Sequence, residues 1–335
     1  VVVVTRADVA AAILWVGATF YALFGGADFG GGFWDLIAGD AEKGERPRAL
    51  IQRSLTPVWE ANHVWLIFIL VVLWTAFPPV FSAVMTTLYV PIALAAVGIV
   101  LRGSGFAFRK SIEGLSARRA AGATFALSSV LTPFFMGATV GAIAAGNVPA
   151  AGDGNAFSSW LAPLPLLVGA MFVATGAYLS AVFLVGDARR SGETDLERYF
   201  VRRALAAALV AGVAAAAGLL ELHSEARYIF DRLTDQGLPL VVLSLLCGVG
   251  LLAALLRGAR RPLRPLAAGA VIAVIWGWGV AQFPYLLPTS TKIAAAAAPA
   301  STLDVVFVVF AIAAVLVLPS LALLYTLSQR DLLEH

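Results

Sequence analysis

The chain has 335 residues, of which 60% are hydrophobic and only 13% charged, with a formal net charge of +3 at pH 7 and a mean hydropathy of +0.89. These values exclude a water-soluble globular domain. The single cysteine, Cys247, excludes an internal disulfide, a Cys-x-x-Cys-His haem attachment and a thiolate cluster within the chain.

Apolar stretches near the roughly 20 residues needed to cross a bilayer recur nine times. In chain order they cover Val9–Ala38, Val58–Ala76, Val80–Leu101, Ala120–Ala145, Pro163–Gly186, Ala204–Leu222, Leu238–Leu256, Leu266–Phe283 and Val305–Thr326. The fold expected is an all-α integral membrane protein, with nine transmembrane helices in a single membrane domain over residues 1–335. The first apolar run leads straight into further structure, so no cleaved signal peptide is expected.

Charge sets the orientation. Arginine and lysine cluster after every odd span, as in Lys43–Arg53, Arg102–Arg119, Arg189–Arg203, Arg257–Arg264 and Arg330, which together hold 19 of the 23 basic residues. Loops on the cytoplasmic side are the ones rich in Lys and Arg, so the N-terminus is expected outside and the C-terminus in the cytoplasm. That asymmetry also accounts for the basic balance without nucleic acid. None of the outer connections is long enough for a separate domain.

The first span contains Gly25-Gly26-Ala27-Asp28-Phe29-Gly30-Gly31-Gly32, five glycines around one carboxylate. Glycine lets helix backbones approach closely, and a carboxylate at that depth must face protein or water rather than lipid. Asp28 is therefore either the polar centre of a tight crossing or a proton or cation site. The second span opens with Pro57-Val58-Trp59-Glu60-Ala61-Asn62-His63-Val64-Trp65, directly before seven unbroken hydrocarbon residues. Glu60 and His63 share a helix face at i and i+3, with Asn62 beside them. An ionisable group at the centre of a span costs about 2.5–3.5 kcal/mol, which makes Glu60 a candidate proton carrier and leaves His63 as a ligand or a packing residue. The chosen topology puts Asp28 and Glu60 in the cytoplasmic half, close enough to meet. Arg102 ends the third span, where it either snorkels to the headgroups or holds one of these acids by charge pairing.

Glu-x-x-His is also the spacing of di-iron bundles, but those need a second copy and two further glutamates, and the chain has neither. Haem within a bundle needs axial ligands in the spans. Only His63, Met85, Met136 and Met171 are candidates, so no metal centre and no redox chemistry are expected of this chain alone. Phe283-Pro284-Tyr285-Leu286-Leu287-Pro288-Thr289-Ser290-Thr291 ends the eighth span on the outside, where its prolines stop the helix; a quinone headgroup contact there is left open.

Taken together, Gly26-Ala27-Asp28-Phe29-Gly30, Pro57 through Leu66, Ala76-Phe77-Pro78, Arg102-Gly103 with Phe106–Arg109, and Phe283-Pro284 through Ser290-Thr291 resemble, in this order, subunit II of the cytochrome bd quinol oxidases. The resemblance runs from the first span to the ninth. It implies two four-helix bundles plus one peripheral helix, and a two-subunit respiratory terminal oxidase of the prokaryotic cell membrane that oxidises quinol and reduces oxygen to water. The two b-type haems and one d-type haem would belong to the partner, subunit I, and a bound quinone and a small single-helix subunit are both allowed for. Asp28 and Glu60 match the family's intramembrane acids, associated there with proton delivery, with Asn62, His63 and Arg102 as supporting polar groups. Gly25 and Ala107 stand where some relatives carry further acids, so the implied route has fewer carboxylates here. A proton- or cation-coupled secondary transporter, with Gly25–Gly32 as a broken helix, is the alternative reading of the same residues.

Overall fold

The computed structural model describes residues 4–39, 42–55, 59–111, 115–259 and 261–329. Nearly all of them are helical. Among the described residues, seven helices are long and apolar enough to cross a membrane, or eight when one sharply bent pair counts as a single span.

The first span is α1 (Arg6–Phe20), a π-helical turn (Tyr21–Gly25) and α2 (Gly26–Leu36), continuous in direction. Thr5 caps α1 through a reciprocal box with Asp8, which satisfies two amide donors that would otherwise be orphaned. After the turn at Gly39, whose φ of +107° suits glycine alone, the short α3 (Glu45–Leu55) packs on α2.

The second span is α4 (Trp59–Ala76). The run expected as one helix over Val80–Leu101 is instead two. A short α5 (Pro78–Thr87) bends away from α4 by 118°, and α6 (Tyr89–Ser111) follows the break at Leu88. Proline explains both breaks. Pro78 and Pro79 can start a helix but not continue one, and Pro91 denies Thr87 an i→i+4 hydrogen bond and crowds its carbonyl.

The remaining long helices are α7 (Leu115–Ala144), α8 (Pro163–Arg190), α9 (Thr194–Glu225), α11 (Leu238–Leu256), α12 (Leu263–Gln282) and α14 (Ala300–Gln329). Between them lie α10 (Arg227–Thr234), a hairpin of β1 (Tyr285–Leu287) with β2 (Thr291–Lys292), and the one-turn α13 (Ile293–Ala296). The tightest packing runs through α2, α6, α7, α8 and α9, while α14 touches little beyond α1 and α4.

Two large apolar clusters occupy opposite ends of the molecule. At the hairpin end, Phe77, Leu88, Ala138, Ala142 and Leu287 are fully buried. At the arginine-rich end, Leu179, Val182, Val185, Phe200 and Leu251 are. Asp28 lies on α2, which packs against both α7 and α8.

Candidate functional site

The glycines of α2 set the geometry. A Cβ at Gly30 would lie 1.9 Å from the Gly176 carbonyl oxygen on α8, and one at Gly32 would lie 2.1 Å from Ser129 Oγ on α7. Only hydrogen at these positions lets α2 sink into the groove between α7 and α8. The run begins at Gly25, the last residue of the π-turn, and is α-helical from Gly26 on.

Sunk this way, Asp28 is 1% exposed and meets Arg102 of α6, itself 2% exposed. Arg102 Nη2 donates to Asp28 Oδ1 at 2.8 Å and to the Asp28 carbonyl oxygen at 3.2 Å. Its Nη1 reaches Ser129 Oγ at 3.4 Å. The guanidinium lies between two aromatic faces, 4.8 Å from the Phe29 ring centroid and 4.7 Å from that of Phe125. Desolvated cation–π contacts contribute about 2 kcal/mol each, so the site holds its cation by two aromatic faces as well as by charge. Arg102 therefore does not snorkel. It is the counter-ion of Asp28.

Within this pair, Asp28 Oδ2 and Arg102 Nε are buried with no hydrogen-bond partner among the described residues. The first leaves one carboxylate oxygen open to accept a proton or a water.

Phe29 carries the site on towards α4: its ring meets His63 edge-on, with centroids 6.4 Å apart and planes at 70°. The structure thus brings together Asp28, Arg102 and His63. Glu60 and Asn62 belong to α4, but their side chains lie outside the described residues.

Several partners were not foreseen. Ser129, Phe29 and Phe125 complete the arginine's surroundings; a Ser-Ser pair inside an apolar helix, with Thr132 one turn on, was the available signal. A second ion pair closes the end of α2, where the nearly buried Asp35 meets Arg48 of α3 at 3.1 Å. Trp34 Nε1 donates to the Ala177 carbonyl at 2.8 Å and pins α2 to α8. Within the π-turn, the Tyr21 hydroxyl reaches Met136 Sδ at 3.6 Å.

A resident metal ion would need several ligating side chains gathered among the described residues. No group of three His, Cys, Asp or Glu gathers among them. His63 packs edge-on to Phe29, Met136 is engaged by Tyr21, and Met171 lies against Gly218.

The family model for "Cytochrome bd terminal oxidase subunit II" matches residues 7–328. The chain belongs to this family. It is a multi-pass integral membrane protein of the prokaryotic inner membrane. The cytochrome bd ubiquinol oxidase subunit 2 of Bacillus subtilis is 28% identical over 126 residues, 38% of this chain and 36% of that one. The cytochrome bd-I ubiquinol oxidase subunit 2 of Escherichia coli K12 is 28% identical over 179 residues, 50% of this chain and 46% of that one. The chain thus aligns with less than half the length of these curated relatives. A solved chain of the bd oxidase from Geobacillus thermodenitrificans superposes with a TM-score of 0.77 at 25% identity, covering 97% of this chain and 98% of its own.

Proposed function

We propose that this chain is the subunit of a two-subunit respiratory terminal oxidase that carries no haem itself, in a complex that oxidises quinol and reduces oxygen to water. The observation that carries this reading is the end-to-end likeness to a bd oxidase chain, 97% of one on 98% of the other. The donor set described above supports placing the two b-type haems and the d-type haem in the partner subunit. In this reading residues 1–335 form one membrane domain of two four-helix bundles and one peripheral helix. Adding α4 and α6 as separate crossings to the seven apolar helices gives nine, with α5 as a corner piece between them. The Lys and Arg distribution then puts the N-terminus outside.

The chain's own part is assembly of the partner and proton uptake from the cytoplasm. Glu60, at the mouth of α4, takes up the proton. Asp28 receives it on Oδ2, the oxygen that Arg102 leaves open. Arg102 keeps Asp28 in place through Oδ1, and His63, Asn62 and Phe29 hold the neighbouring helix. In the transporter reading the glycine run would be a broken helix lining an ion site; it passes from the π-turn at Gly25 into α-helix with no break in the span, which favours the oxidase.

Affinity purification of the tagged chain from its native membrane tests this. The expected result is a co-purifying integral membrane protein with haem absorbance in the visible range and quinol-dependent oxygen consumption. A colourless chain purifying alone, and catalysing ion-coupled uptake in vesicles, would overturn the reading.

A further inference from the structure

At the arginine-rich end, most guanidinium groups face a carboxylate. Arg46 and Arg53 share Glu193, Arg189 holds Glu197, and Arg190 and Arg264 share Asp187. Asp195, exposed in the first turn of α9, lies 3.9 Å from Arg46. Arg198 and Arg202 of α9, like Arg257 and Arg261, are both exposed and, among the described residues, paired with no carboxylate. Arg203 beside them turns inward, its guanidinium carbon 3.2 Å from the Tyr199 ring centroid, and also meets no acid.

Arg198 and Arg202 head an exposed stripe. Ala206, Leu209, Val213, Ala216 and Leu220 follow them along one face of α9 at spacings of three and four, while the opposite face packs on α8. Leu209 is 64% exposed, Val213 62% and Leu220 75%. Beside the stripe, a Cβ added at Gly212 would meet nothing within 4 Å, so the face is open there. One leaflet's hydrocarbon, about 15 Å, corresponds to about ten helical residues, the distance from Ala206 to Ala216. Two exposed positive charges without an acid, one turn above an exposed apolar stripe one leaflet long, match a molecule with a phosphate at one end and an acyl chain below it.

We propose that this stripe seats one anionic phospholipid, its phosphate held between Arg198 and Arg202 and an acyl chain laid along Ala206–Ala216. Charge complementarity selects the occupant. A helix of another protein would cover the stripe without neutralising the arginines unless it carried acids at that height. Free phosphate would leave the exposed apolar stripe uncovered. The inference does not depend on the oxidase reading.

The complex containing this chain, purified in detergent, would be titrated with phosphatidylglycerol and with phosphatidylcholine of matched acyl chains, and bound lipid counted by native mass spectrometry. Phosphatidylglycerol should bind preferentially. Arg198→Gln with Arg202→Gln should weaken its tightest binding about 25-fold, at about fivefold per arginine. Arg257→Gln with Arg261→Gln, which removes two equally exposed arginines elsewhere on the same end, should leave it within about twofold. Equal losses in the two double variants would mean a general basic surface and overturn the site. So would unchanged binding in the first double variant, displacement by inorganic phosphate, or a partner subunit covering α9 in the intact complex.

Discussion

Asp28→Leu or Arg102→Met alone is expected to cost about 3–5 kcal/mol of stability, because each leaves its partner as an uncompensated buried charge. Both groups are at most 2% exposed, so water cannot replace what is lost. The double variant is expected to cost far less than the sum, since removing both charges together also removes the desolvation penalty. Unfolding of the four proteins in mixed micelles, followed by loss of helicity, gives the coupling directly. Single variants within about 1 kcal/mol of the native chain, the scale of an exposed pair, would mean that Asp28 and Arg102 do not form the polar centre of the bundle.

Gly30→Val should be the most damaging of the glycine substitutions on α2. Its Cβ would sit 1.9 Å from the Gly176 carbonyl oxygen, and the obstacle is backbone rather than a side chain able to rotate away. The two helices would have to part, at a cost at or above the roughly 1–3 kcal/mol typical of overpacking. Parting them also pulls Asp28 off Arg102, so the chain should fail to accumulate in the membrane. Gly122→Ala on α7 is the control. A Cβ there meets nothing within 4 Å, and alanine is favoured over glycine in a helix by about 1 kcal/mol. Equal membrane levels of the Gly30→Val and Gly122→Ala chains would show that α2 and α8 are not packed this closely.

The sequence made the site's residue types legible but not their pairing. Asp28 stood out because a carboxylate among glycines in an apolar span has to be satisfied by protein. Arg102 stayed ambiguous because a helix-end arginine can equally reach the headgroups, and only the depth of the α2, α6 and α7 packing decides between the two. Phe29 and Phe125 looked like ordinary apolar residues, and nothing local marks an aromatic ring as the wall of a cation site. Asp35 and Arg48 lie in different helices, so no spacing rule joins them. The sequence does not mark the break at Leu88, because Val80–Leu101 carries no charged residue. Hydropathy cannot see a bend that two prolines and Pro91 impose through backbone hydrogen bonding. The π-turn at Tyr21–Gly25 likewise has no compositional signature.

The pair and the carrier are expected to behave differently. Asp28 is fixed through Oδ1 by a guanidinium, so its loss should disturb assembly as well as turnover. Glu60, at the start of α4, has no such structural duty in the proposed route, and its loss should slow proton uptake while sparing the complex. The most direct test is therefore quinol-dependent oxygen consumption per haem in the purified complex carrying Glu60→Gln. The account predicts full haem content with turnover reduced about tenfold or more, within the range that a lost proton-transfer group produces. Full haem content with unchanged turnover would contradict it.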